Sequence, residues 1–248
     1  MDVRQSRREA VRSDEWQERY ARQILLPEVG IEGQERLVHK SIAVIGAGGL
    51  GSTLLPLLAG AGVGHILIVD GDVVSRSNLP RQTLYTTEEI GGYKAVLAAR
   101  RLRANNPHCT IKTSIEPLYP ANVHQLLSGV DLILDATDNE EARRLIDSFA
   151  RGAGQHWLYT SLDGWSGQVA LFPPEGKGYC ELFPESPSSS AESSASSPPI
   201  PVISSTPALL GSIAGAEALK FLLGLRSPLS DHLLLVDSLS CSFQLLKR

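Results

Sequence analysis

The segment SIAVIGAGGLGSTLL, residues 41–55, constrains the chain more than any other stretch. An apolar run, Ile42 to Ile45, enters the turn Gly46-Ala47-Gly48-Gly49-Leu50-Gly51, and a helical pattern leaves it. Strand, glycine turn and helix in that order open a βαβ unit that binds a nucleotide. Glycine lets the turn close and the backbone approach a phosphate, and the helix start offers unpaired N–H groups with partial positive charge. Gly46, Gly48, Gly49 and Gly51 are therefore candidate nucleotide-binding residues. Asp70 ends the next apolar strand, HILIVD, where an acid can accept hydrogen bonds from a ribose. The turn alone does not separate a redox dinucleotide, NAD or FAD, from another nucleotide.

The pattern of the rest of the chain gives the turn its setting. Strands are expected at 42–45, 65–70, 109–115, 130–136 and 156–161, with helices at about 49–61, 91–105 and 139–151. Near-continuous apolar strands interleaved with helices predict a parallel sheet covered on both faces. Further strands at 167–172, 232–236 and 240–246 extend this α/β, Rossmann-like sheet with C-terminal antiparallel strands. An amphipathic helix over 14–26 and a short one near 33–40 make residues 1–40 an N-terminal helical arm. Residues 41–248 then form a single nucleotide-binding domain. A last helix spans 206–224, with Thr206 as N-cap, Pro207 in the first turn and Gly224 as the stop. Before it, residues 184–205 hold ten serines and five prolines, too few apolar groups to offset the entropy of ordering, so a mobile loop is expected there.

Charge and cysteine usage exclude several classes. A net charge of −4 with no basic stripe argues against a nucleic-acid partner or an anionic membrane surface. Residues 41–69 lack Asp, Glu, Lys and Arg, but seven glycines and Pro56 break them into strand and helix pieces, so no membrane span is expected. Three widely spaced cysteines, Cys109, Cys180 and Cys241, and a charged N-terminus fit a reducing, cytoplasmic setting.

The residues after Asp70 narrow the chemistry. Asn78, Arg81 and Gln82 lie in a loop and Lys94 on a helix, and a guanidinium with an ammonium near a phosphate-binding turn can neutralise a polyphosphate. At the end of the fourth strand, LILDATDN carries Asp135 and Asp138 beside the expected ligand crevice. Asp138 suits a Mg²⁺ that bridges phosphate oxygens, or, with Asn139, a helix cap; Asp135 reads as structural.

Together, RYARQILLPEVG (19–30), VIGAGGLGS (44–52), VDGDVVSRSNLPRQTL (69–84), GGYKA (91–95), NNPH (105–108), DLILDATDN (131–139), GWSGQVALF (164–172) and GSIAGAEALKFLLG (211–224) resemble the MoeB/ThiF/HesA family, bacterial relatives of the ubiquitin-activating enzymes. The resemblance is collinear from about residue 19 to 246. It implies an ATP-dependent adenylyltransferase that activates the C-terminal Gly-Gly carboxylate of a small ubiquitin-like sulfur carrier, MoaD-like or ThiS-like, as an acyl adenylate. It further implies that the glycine turn cradles the nucleotide, Asp70 binds ribose, and Asn78 and Arg81 meet phosphates. Lys94 would face the developing charge and Asp138 the Mg²⁺. Arg22 would reach into a neighbouring subunit's site, making the active unit a homodimer.

Two departures stand out. The family's paired CxxC motifs bind structural zinc, but here KGYCELFP has Gly178 and Glu181 flanking the Cys180 region, and QLLKR has no second pair. No structural zinc is expected. Some members carry a loop cysteine that links covalently to the carrier, whereas AESSASSPPIPV has serines only, so adenylation without a covalent enzyme–carrier intermediate is expected. The alternatives are an NAD(P)- or FAD-dependent oxidoreductase and a non-catalytic nucleotide-binding member.

Overall fold

The computed structural model describes residues 13–184 and 201–248. Most of the serine- and proline-rich stretch, including the neighbourhood of the family's loop cysteine, lies outside the described residues, as does the start of the N-terminal arm.

Apolar runs become strands where expected: β1 (Ser41–Ile45), β2 (His65–Val69), β3 (Thr110–Ser114), β4 (Leu132–Asp135), β5 (Trp157–Asp163), β6 (Ser166–Phe172), β7 (His232–Asp237) and β8 (Ser242–Lys247). The described residues form one sheet in the order β3-β2-β1-β4-β5-β6-β7-β8, with β1 to β5 parallel and the later pairings antiparallel. Ile45 pairs with Val69 on one side and Asp135 on the other. The chain therefore reverses its strand order between β1 and β4, where an α/β sheet opens its ligand crevice.

Helices cover both faces because the apolar side chains of each inner strand alternate between them. On one face α3 (Gly49–Gly60), α4 (Lys94–Asn105) and α8 (Ser205–Leu223) bury Leu54, Leu58, Leu102, Leu210 and Ala214 against Val44, Ile68 and Leu134. On the other, α5 (Val123–Leu127), α6 (Glu140–Ala153) and α7 (Tyr179–Leu182) bury Leu127, Ile146, Phe149 and Tyr179 against Ile45, Ile133 and Trp157. Helix α8 is long and apolar enough to cross a bilayer, but 56% of its apolar window is buried, and it packs on α3, β5 and β6. It is a core helix.

The N-terminal arm comprises α1 (Asp14–Ile24) and α2 (Gly30–Val38). Trp16 and Tyr20 are buried, and the Tyr20 hydroxyl accepts from Asn106 Nδ2 at 2.7 Å. Gln34, fully buried, donates to the Ala61 carbonyl at 2.8 Å. These polar contacts fix the arm to the ends of α3 and α4.

Three local expectations change. The helix expected from 91 starts at Lys94, because Gly91 (φ +88°) turns the chain first. Thr206 is not the cap of α8: Ser204 holds that position, and the Thr206 hydroxyl instead donates to the Gly164 carbonyl at 3.0 Å. Short α5 and α7 have too few residues to show a helical period. Helix α7 is tied to α6 by side chains, with Asp147 accepting from the Tyr179 and Cys180 amides (3.1 and 3.3 Å) and Arg151 pairing with Glu181 at 3.1 Å. Among the described residues no three His, Cys, Asp or Glu side chains gather as metal ligands.

This packing has two measurable outcomes. A Cβ on Gly46 would lie 2.5 Å from the Ala136 carbonyl oxygen, at φ +100°. Gly46→Ala is expected to cost about 2–4 kcal/mol in urea unfolding, against about 1 kcal/mol for Gly91→Ala, which has a similar φ and open space around it. All three cysteines are free; burial pushes the Cys109 thiol up to about 11. Ellman's reagent should therefore titrate the exposed Cys180 and Cys241 in native protein and Cys109 only after unfolding.

Candidate active site

A cleft of about 340 Å³ lies at the carboxyl ends of β1, β2 and β4. Its floor is built from the glycine turn. The Gly46 N–H donates to the Val69 carbonyl and the Ala136 N–H to the Ile45 carbonyl, both at 2.8 Å, so three strand ends are stitched at one level. Gly51 is buried against this floor, where a Cβ would meet the Gly46 carbonyl oxygen at 2.6 Å. Gly46, Gly48 and Gly49 line the cleft, whereas Gly51 does not. Gly48 is the N-cap of α3 and has no side chain to satisfy the first amides, so the helix begins at the cleft without a side-chain cap.

Charged groups stand around the turn. Asp70 lines the cleft, accepting from the Ala47 amide at 2.6 Å and the Asp72 amide at 2.8 Å. Burial pushes its carboxyl above the ordinary carboxylate range, against the pull of those amides and of Lys94. Lys94 is 5% exposed and its Nζ pairs with Asp72 at 2.8 Å; both line the cleft. Arg81 lines the cleft and spends one guanidinium nitrogen on the Ser77 carbonyl (2.9 Å). Gln82 is 4% exposed, and its Oε1 is buried with no hydrogen-bond partner. The residue lines the cleft beside the glycine cradle, where its Nε2 would lie 3.4 Å from a Cβ on Gly48.

The third wall is the TDN loop. Asp138 and Asn139 line the cleft; Asn139 also caps α6 by accepting from the Ala142 amide at 3.2 Å. Asp138 makes no hydrogen bond or ion pair to the described residues and is exposed, which leaves its carboxylate available to a cation carried by the ligand's phosphates. Asp135 is structural, as its position suggested: 1% exposed, it accepts from Thr137 and from Arg143 Nε at 3.0 Å.

Besides Gly51, two sequence candidates stand off the wall. The Asn78 carbonyl accepts from the Arg81 and Gln82 amides and its side chain from the Ser75 amide, so it shapes the loop that carries those two residues. Arg22 is exposed on α1, outside the cleft of its own chain. In return the cleft gains residues the sequence did not single out. Asp72, Arg143 and Pro207 all line it, with Pro207 at the start of α8 packed over Gly49. Asp72 was legible as the second acid of VDGD; nothing local marks Arg143 or Pro207.

Comparison with known proteins places this geometry. The chain is 43% identical over 233 residues to the sulfur carrier protein adenylyltransferase of Thermus thermophilus, spanning 92% of this chain and 85% of that protein. It is 35% identical to the SAMP-activating enzyme E1 of Haloferax volcanii, over 92% of this chain and 83% of that one. Similar solved structures include PaaA (TM-score 0.79, 24% identity, 96% of this chain and 75% of that one) and Escherichia coli MccB with succinimide (0.82, 18%, 92% and 71%), a likeness of fold. The model of the ThiF family matches residues 20–248. The chain belongs to the ThiF family.

Proposed function

We propose that this protein is an ATP-dependent adenylyltransferase that activates the C-terminal Gly-Gly carboxylate of a small ubiquitin-like sulfur carrier. The observation that carries the reading is one cleft lined together by Arg81, Lys94, Asp138 and the N-terminus of α3. Membership of the ThiF family and the names of its adenylyltransferase relatives support it, and they set aside the oxidoreductase that the glycine turn alone allowed.

A carboxylate oxygen of the carrier attacks the α-phosphorus of ATP. The bond from that phosphorus to the bridging oxygen breaks, and pyrophosphate leaves with the electron pair. No proton moves in this step, so positioning and charge neutralisation suffice. Asp70 accepts from ribose or other ligand donors, while Gly48, Gly49 and the first amides of α3 hold phosphate oxygens. Arg81 and Lys94 offset the charge that grows on the leaving group; Lys94 is already aimed by its ion pair with Asp72. Asp138 would hold Mg²⁺, whose chemistry is to screen the triphosphate and bind its oxygens.

The working unit in this reading is a homodimer in which Arg22 completes the partner's site. Its support is a rigid mount: Trp16 and Tyr20 anchor α1 to the body, leaving Arg22 exposed beside Leu25 and Leu26, which are 74% and 52% exposed. Apolar exposure of that kind marks a contact surface. The same reading needs no structural zinc, since Asp147, Arg151 and Glu181 already tie α7 to α6. It sets the enzyme in the cytoplasm, in keeping with three free thiols.

The test is carrier-dependent exchange of labelled pyrophosphate into ATP, with a panel of Gly-Gly-terminated carriers. Exchange is expected with at least one carrier. Arg81→Ala and Asp138→Ala should each lower it by at least about 100-fold with thermal unfolding unchanged. No exchange with any carrier would overturn the assignment. For the dimer, equal amounts of inactive Arg22→Ala and Lys94→Ala proteins, unfolded and refolded together, should regain about a quarter of wild-type activity. No recovery in refolded mixed dimers would mean that Arg22 does not act across subunits.

A further inference from the structure

Asp138 bonds to none of the described residues, but the residues before and after it are clamped, and the clamp closes on a side chain that the adenylation chemistry does not use. Asp135 Oδ1 accepts from the Thr137 amide at 2.9 Å and from the Thr137 hydroxyl at 2.7 Å. Asp135 Oδ2 accepts from Arg143 Nε at 3.0 Å, and Arg143 Nη2 donates to the Thr137 carbonyl at 2.7 Å. The Asn139 carbonyl accepts from the Arg143 amide at 3.3 Å. Arg143 thus touches both neighbours of Asp138 without touching Asp138. It is 9% exposed, lines the cleft, and its guanidinium lies 5.5 Å from the centre of the Tyr159 ring.

A buried ion pair seldom raises stability above that of an apolar pair of the same size, so tying α6 to β4 does not require one. What the charged pair adds is geometry: a planar guanidinium with two directed bonds fixes one loop conformation. We propose that Arg143 is a positioning residue for Asp138, holding its carboxylate through Asp135 and Thr137 where a nucleotide-bound divalent cation meets it. The proposal rests on the reading of the cleft as an ATP site. Groups that act on a metal through another ligand typically change its affinity 10- to 100-fold.

The experiment measures ATP binding by calorimetry, in Mg²⁺ and in EDTA, for wild type, Arg143→Lys, Asp138→Ala and the double variant. Lysine keeps a charge opposite Asp135 but lacks the second nitrogen that reaches Thr137. Arg143→Lys is expected to weaken binding about 10- to 100-fold in Mg²⁺ and to leave binding in EDTA unchanged. The double variant should bind no worse than Asp138→Ala, because a residue that acts only through Asp138 has nothing left to act on. Equal losses in Mg²⁺ and EDTA, additive losses in the double variant, or an unchanged Mg²⁺ response would each overturn the proposal. Thr137→Val removes the hydroxyl of the clamp and spares the ion pair, so it carries the test if Arg143→Lys does not fold. It should show a several-fold loss confined to Mg²⁺, and an unaltered response would overturn the proposal equally. Wild type that fails to bind ATP would overturn the parent reading and this one with it. Normal wild-type binding with an indifferent Arg143→Lys would overturn this one alone.

Discussion

Everything in the cleft depends on how closely Gly46 approaches Ala136. The two strands that separate here, β1 and β4, send their chains to opposite faces of the sheet, α3 to one and α6 to the other. The gap between them is open only because no Cβ fills it: one on Gly46 would lie 2.5 Å from the Ala136 carbonyl oxygen. With the turn seated, α3 begins directly over the cleft, Asp70 reaches the Ala47 amide, and the TDN loop starts one residue beyond the last strand bond. A side chain at position 46 would push the turn away from the loop and separate the two walls that must share one ligand.

On that floor the charges are arranged so that each cleft group is either held or left free, according to what it does. Asp135 and Arg143 are almost wholly buried and satisfy each other, and Lys94 is aimed by Asp72 at the rim. Burial pushes the Asp70 and Asp135 carboxyls upward. Asp138, by contrast, is exposed and bonds to none of the described residues, while its neighbours on either side are fixed. A free carboxylate on a rigid loop meets a charged ligand with little reorganisation, and preorganised charge of this sort is the main resource of an enzyme that neither adds nor removes a proton.

Much of this was legible in the chain. Strand positions came from continuous apolar runs, the glycine turn from its spacing, and Asp70, Arg81, Gln82, Lys94 and Asp138 from their positions relative to strand ends; all five line the cleft. Asn78 and Gly51 belong to the same motifs yet sit behind the wall, one shaping a loop and the other packing against a carbonyl. A motif records which residues occur together and not which of them face the ligand. Arg143 escaped notice for the opposite reason. In EEARRLID it resembles its neighbour Arg144, which pairs with Glu140 one turn earlier on the same helix, a pairing that local spacing accounts for.

The sequence by itself determined the pieces: alternating apolar strands and helices, a turn that only glycine permits, and the charged residues that come after each strand. Turn chemistry and hydrophobic period are local, so they can be read without knowing the fold. Tertiary structure alone decided which side chains meet. Thr206 abandons its cap to bond Gly164, Asp147 takes the amides of α7, and Arg143 turns inward to Asp135. Each choice is set by a partner on another element, brought within hydrogen-bonding distance only when the sheet and helices pack. A buried polar group takes the partner that packing supplies, because leaving it unpaired costs more than giving up a local bond.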